Sequence, residues 1–194
     1  MTTLIVVLLL IAILIPVSVI IYLWLSYNKL VRHEQYVKTA WSNIDNQLDA
    51  KYRILTNVVQ MFELGSDREK DFVESALLAR KGLTSKSVKE KAVANENVNS
   101  LLPQMSMLME AYPNSNVAHS LKDAMASIKQ AEEKITYART GYNGGVENYN
   151  ILIRSFPTNL IASKFGHTPK ESFSITEEER KVYNHLSVND VRSK

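Results

Sequence analysis

Polar and apolar positions divide this chain into unlike parts. Residues 4–25 (LIVVLLLIAILIPVSVIIYLWL) form an almost wholly apolar run, and all 23 Lys and Arg and all 20 Asp and Glu come after residue 28. At about 1.5 Å per residue such a run spans roughly 33 Å, the thickness of a bilayer's hydrocarbon core, and predicts a transmembrane helix. Met1-Thr2-Thr3 supplies no basic n-region and no small-x-small cleavage site follows, so the run reads as an uncleaved anchor rather than a signal peptide. Tyr22, Trp24 and Tyr27 at its far end fit an interfacial aromatic belt. Pro16 is expected to kink the span, because it removes a donor and crowds the Ala12 carbonyl, while Ser18 reads as a tolerated small residue.

Beyond the run the periodicity becomes amphipathic. Val37, Trp41, Ile44, Leu48, Tyr52, Leu55, Val59 and Phe62 recur at spacings of three and four, which predicts a helix continuous with the anchor and ending near residues 65–67. Phe72, Ala76, Ala79 and Leu83 mark a second, shorter helix interrupted over residues 82–87. Val98, Leu101, Leu102, Met105, Leu108 and Tyr112 mark a third that stops at Pro113, with a kink or a start near Pro103. The fourth carries Val117, Leu121, Ala124, Ile128, Ala131, Ile135, Ala138, Tyr142, Gly145, Tyr149 and Leu152, a heptad seam whose natural partner is the first helix. Outward and return lengths nearly cancel, which brings the chain back to the bilayer surface near residues 154–157. There the apolar-plus-basic stretch 159–165 either lies on headgroups or closes the end of the core. In the polar tail, Thr176-x-x-Glu179 has the form of a capping box, predicting a short helix to about Leu186, and the acids at 177–179 read as its solvated first turn.

The expected fold is therefore all-α, an N-terminal transmembrane helix continuing into an antiparallel bundle of about four helices with long first and last members. Residues 1–28 are the anchor, 29–157 the bundle, and 158–194 a membrane-proximal segment with a polar tail.

Composition sharpens this picture. The net charge is only +3 with both signs interspersed, so the pI near 9.0 does not imply nucleic acid. The absence of cysteine excludes disulfide scaffolds, thiolate metal sites, cysteine nucleophiles and palmitoylation. Lys29, Arg32 and Lys38 follow the span closely and no basic residue precedes it, so the positive-inside rule assigns the bulk of the chain to the cytoplasm.

Catalytic patterns are missing. His33, His119, His167 and His185 are scattered, Gly141-Tyr-Asn-Gly144-Gly145 lacks the lysine of a phosphate loop, and Glu110, Glu132 and Glu133 read as single carboxylates with neighbours at salt-bridge spacing, such as Lys129 and Lys134. No catalytic, cofactor-binding or metal site is expected. What stands out is a Tyr-Asn pair, Tyr27-Asn28 at the membrane exit and Tyr142-Asn143 repeated seven residues on as Tyr149-Asn150. Tyr packs its ring while its hydroxyl reaches a partner, and Asn bonds across to another element. These six residues, with Trp41 as core anchor and Asp45 one turn on as a partner for its indole, are the packing or protein-interaction candidates. Lys29, Arg32, Arg154 and Lys164 are the lipid-headgroup candidates. Glycines 141, 144 and 145 each cost roughly 1 kcal/mol in a helix interior, an expense that close approach of another helix or a local hinge would offset.

Tyr27-Asn28-x-Leu30-Val31, Ala40-Trp41-Ser42-x-Ile44-Asp45-x-Gln47-Leu48 running on to Tyr52 and Asn57-Val58-Val59, Ala79-Arg80, Glu110-Ala111-Tyr112-Pro113, the Tyr-Asn heptad, Phe156-Pro157-x-Asn159-Leu160-Ile161-Ala162 and Phe165-Gly166 together resemble the LemA family of bacterial membrane proteins. The likeness spans about residues 25–173. Thr56, His167, Ser172 and Gly144-Gly145 depart from the family's usual pattern. The resemblance implies a single membrane helix, an antiparallel helical domain and a bacterial inner-membrane location, and it brings no reaction or cofactor. Two functions fit: a non-enzymatic membrane-anchored scaffold that self-associates or docks another membrane protein, or a membrane-remodelling or lipid-sensing protein working through its membrane-proximal segment. Expected partners are the lipid bilayer, further copies of the chain and another membrane protein, with no nucleic acid.

Overall fold

The computed structural model describes residues 1–62, 69–113 and 115–174. Six helices run through them: α1 (Thr2–Phe62), α2 (Lys70–Leu83), α3 (Val88–Ser100), α4 (Leu102–Ala111), α5 (Asn116–Arg154) and α6 (Thr158–Lys164), with no strand among the described residues. The all-α class and the two long helices, α1 and α5, are as the periodicity requires; the described helices number six rather than about four, and the short α6 follows the second long one. The predicted end of the first helix near residues 65–67 and the predicted tail helix lie outside the described residues.

α1 is one helix from the apolar run to Phe62, passing through Pro16 without a break. Every side chain over residues 7–25 is exposed, whereas from Leu30 onward one stripe is buried. That stripe is Leu30, Glu34, Val37, Trp41, Ile44, Leu48, Lys51, Leu55, Val58 and Phe62, alternating four and three without a slip, with Glu34, Trp41 and Lys51 as its partly or wholly polar members. The expected list had Tyr52 and Val59 in place of Lys51 and Val58. In the structure Lys51 is buried and Tyr52 only half-buried, and Val59 is buried beside Val58.

The single third helix expected from sequence is two. Ser87 caps α3, its hydroxyl accepting from the Glu90 amide at 3.3 Å. The helix ends at Ser100, and α4 begins with Pro103 in its first turn, the one place in a helix where a missing N–H costs nothing. α2 packs on α3 so closely that a Cβ at Gly82 would lie 2.7 Å from Ala94 Cβ.

The chain divides into two compact units, Met1–Thr39 with Gly144–Lys170, and Ala40–Asn143 with Glu171–Lys194. Within the second, Trp41 lies against Tyr142, and ten residues further along α1 Lys51 meets Glu132, ten residues back on α5, so the two helices run antiparallel. Within the first, a Cβ on Gly145 would come 2.7 Å from the Tyr36 ring and 3.5 Å from Val37, so α5 can approach α1 this closely because residue 145 has no side chain. Gly144 has nothing within 4 Å, so close approach accounts for one glycine and not its neighbour.

Candidate functional site

In the second unit a lysine occupies the core. Lys51 is 0% exposed, and its ammonium donates to Asn95 Oδ1 at 2.7 Å, Asn99 Oδ1 at 2.8 Å and Glu132 Oε2 at 2.7 Å. Asn95 and Asn99, one turn apart on α3, aim both amides at the same point, and Asn95 Nδ2 also donates to Glu132 Oε2 at 2.9 Å. All three ammonium protons are thus accepted. Burial pushes Lys51 below the ordinary lysine value, and the hydrogen bond it donates to Glu132 limits the fall. Burial alone would raise Glu132, but Lys51 with Asn99 and Asn95 outweighs it and the carboxyl titrates low. Each charge-assisted bond returns about 1.5–3 kcal/mol, against several kcal/mol to desolvate each ion, so the cluster adds little net stability. Its effect is on register: a slip of one residue in α1, α3 or α5 would leave a buried charge unpaired.

Around Trp41 the same unit holds a second group. The indole meets the rings of Tyr142 at 5.3 Å and Phe173 at 5.9 Å between centroids, and the Lys91 ammonium lies 5.8 Å from its ring. Asp45 is ion-paired to Lys91, not to the indole, which corrects the expected Trp41–Asp45 contact: the cation on α3 competes better for a carboxylate than a neutral N–H does. Tyr142 donates its hydroxyl to the Glu171 carbonyl at 2.7 Å, and the Asn143 amide faces Phe173, accepting from its N–H at 2.8 Å and donating to its carbonyl at 3.4 Å. The Arg139 guanidinium lies over the Phe173 ring, 5.4 Å from its centroid.

The first unit uses the same device. Asn150 accepts from the Lys170 amide and donates to the Lys170 carbonyl, both at 2.9 Å, while the Tyr149 hydroxyl meets His167 Nδ1 at 3.2 Å. Glu34 on α1 holds His167 and Lys170 at 3.0 Å each. Burial would raise its carboxyl, but Lys170 and then His167 bring it below the usual carboxylate range. Burial pushes the phenols of Tyr142 and Tyr149 up to about 12, so both keep their protons at neutral pH. α6 ends in a Schellman turn: Gly166 has φ +73°, its amide bonds Ser163 O at 3.3 Å, and the His167 amide bonds Ala162 O at 3.0 Å. Tyr27, on the anchor's exit, packs its ring 4.8 Å from Phe165, and Asn28 donates back to Trp24 O at 3.0 Å.

The structure thus brings together Trp41, Tyr142 and Asn143 in the second unit and Tyr149 with Asn150 in the first; Tyr142, Asn143 and Asn150 grip backbone of residues 170–173, while Tyr149 meets the His167 side chain. Asp45 sits beside the first group through Lys91. Tyr27 and Asn28 belong to neither. Lys29, Arg32, Arg154 and Lys164 are all exposed. Of the alternatives for residues 159–165, each holds for part: Ile161 and Ala162 are buried, while Leu160 and Phe165 are exposed. Sequence reasoning missed Glu34, Lys51, Asn95, Asn99, Lys170 and Phe173. One signal existed: the expected stripe on α1 needed two successive spacings of four, from Ile44 to Leu48 to Tyr52, where admitting Lys51 keeps the heptad regular.

Comparison with known proteins gives two results. A family model described as the LemA family matches residues 40–185. Two proteins of Paramagnetospirillum magneticum, magnetosome protein MamQ 1 and magnetosome protein MamQ 2, are each 25% identical to the chain over 193 residues, covering 86% of it and 71% of their own length.

Proposed function

The chain belongs to the LemA family, and from that premise we propose that it is a single-pass, membrane-anchored helical scaffold, non-enzymatic, that self-associates or docks another membrane protein at the inner membrane of a bacterial cell. The observation that carries this reading is α1 itself. One uninterrupted helix is uncovered and apolar over residues 7–25 and then contributes the central buried stripe of the helical domain. A lipid-embedded segment and a packed core on the same helix suit a membrane-tethered platform.

The polar groups support a structural use. The Lys51 ammonium has its three protons accepted and so presents no lone pair for nucleophilic attack. The phenols of Tyr142 and Tyr149, held up to about 12, are engaged by Glu171 and His167. Mass photometry of the full chain extracted in mild detergent tests the reading. Particles containing several copies, or a stoichiometric complex with another membrane protein, are expected; a strictly monomeric particle with nothing bound would overturn it.

A further inference from the structure

We propose that an exposed apolar ridge around α6, formed by Phe156, Leu160 and Phe165, seats in the headgroup layer of an anionic bilayer beside the anchor. The inference rests on the membrane anchor of the function proposed above and goes beyond it by assigning a second, peripheral membrane contact.

Three observations in the first unit carry it. First, the ridge is exposed where a short helix has every means to hide it. α6 turns Thr158, Ile161 and Ala162 inward, while Phe156 is 81%, Leu160 62% and Phe165 58% exposed. Uncovered Phe and Leu within ten residues of one another on one short segment mark an interaction surface.

Second, its height is fixed by a contact to the anchor. Tyr27, two residues beyond the apolar run, has its ring 4.8 Å from that of Phe165. Aromatic side chains at that position sit at headgroup level, so Phe165 does too, and the ridge is continuous with a surface that lipid already covers.

Third, the charge is one-sided. The unit holds Lys29, Arg32, Lys38, Arg154, Lys164 and Lys170 against only Glu34 and Glu147, and no acid occurs over residues 148–170. Glu34 lies nine residues past Leu25, about 13 Å along the helix and beyond a Debye length, and it is engaged by His167 and Lys170. Lys29, about 6 Å past Leu25, and the exposed Arg154 and Lys164 flanking the ridge are left to face the bilayer. Apolar side chains inserted at the acyl boundary with cations around them are the chemistry of an interfacial helix on anionic lipid.

The chain has no cysteine, so single reporters can be placed in the full-length protein. Leu160→Cys, Gln35→Cys and Ile20→Cys, each carrying an environment-sensitive fluorophore, are reconstituted into nanodiscs of phosphatidylcholine with or without phosphatidylglycerol and read with lipid-attached and aqueous quenchers. The label at 20 should be quenched from lipid only and that at 35 from water only. The label at 160 should be quenched by shallow lipid-attached groups, more strongly with phosphatidylglycerol. Adding Arg154→Gln and Lys164→Gln should shift it toward aqueous quenching, by about fivefold in the docked population for each charge, with phosphatidylglycerol but not without it. Aqueous quenching at 160 with lipid quenching at 20 overturns this inference and leaves the anchor standing. Aqueous quenching at 20 overturns both. A label at 160 shielded from both quenchers means that protein covers the ridge, and also overturns it.

Discussion

The regular stripe of α1 contains two ionised side chains, Glu34 in the first unit and Lys51 in the second, and they are treated in opposite ways. Lys51 is sealed from solvent and saturated by three acceptors on two other helices. Glu34 keeps 37% of its side chain exposed and binds the Lys170 ammonium and the His167 ring of one irregular segment. The contrast shows that a charge in a helix seam takes its role from what surrounds it. Where three helices converge, the ion is a register lock whose failure is felt throughout the unit. Where a loop crosses a helix, it is a clasp that water can replace.

Breaking the lock should have the larger effect. Glu132→Ala leaves a buried ammonium with two neutral acceptors and should destabilise the chain by about 3 kcal/mol, the lower end for a broken buried pair because the asparagines remain. Lys51→Met combined with Glu132→Leu should recover most of that loss, since two apolar side chains require no pairing. By contrast Glu34→Gln should cost under about 1 kcal/mol, as expected of a partly exposed pair. Thermal unfolding of the full-length chain in detergent, followed by circular dichroism, ranks the three. Acid sharpens the same contrast. Both carboxyls titrate lower in the folded chain than unfolded, so the unfolded chain binds protons more readily. The stability they contribute is complete only well above the unfolded glutamate value of about 4.3, begins to fall as the pH approaches that value, and is lost as the pH drops through the lower folded-state values. Glu132→Gln should flatten the melting temperature's dependence in that window more than Glu34→Gln does.

The Tyr-Asn pairs should respond at an intermediate level. Asn150→Ala removes two hydrogen bonds to Lys170 and Asn143→Ala two to Phe173, about 1–2 kcal/mol in each case. Limited proteolysis within residues 167–173 should accelerate roughly tenfold in either variant, following the raised population of the released segment. Unchanged cleavage would mean that the asparagines do not hold it.

These contrasts also mark what the sequence made legible. The seam of α5 could be read because its positions are apolar, aromatic or glycine throughout, and each of its eleven is buried or half-buried. The anchor could be read from composition alone. Lys51 could not be found by a search that admits only apolar residues, although the irregular spacing around Tyr52 marked the fault. α3 was hidden because its face is built from Ala92, Val93, Asn95 and Val98, weakly apolar in pattern, and the Ser87–Glu90 cap that announces it went unused. The segment 167–173 has no periodicity to detect: its partners are amides about 20–30 residues away, as the Asn150–Lys170 and Asn143–Phe173 pairs illustrate. Proximity along one helix pairs Asp45 with Trp41, a rule blind to the cation that α3 brings.

The smallest expected effect separates adjacent glycines. Gly144→Ala, facing open space, should stabilise the helix by about 1 kcal/mol, whereas Gly145→Ala must displace the Tyr36 ring and should gain nothing or lose. Equal effects from the two would remove close approach as the reason for residue 145.

The claim on which the rest depends is that α1 is one rod, lipid-embedded at one end and packed at the other. Hydrogen exchange of the full-length chain in nanodiscs tests it most directly. Slow exchange continuous from residue 7 through residue 62, with no fast-exchanging gap over residues 26–36, is the predicted result. Fast exchange over residues 7–25, or a break between that segment and Leu30, would contradict it.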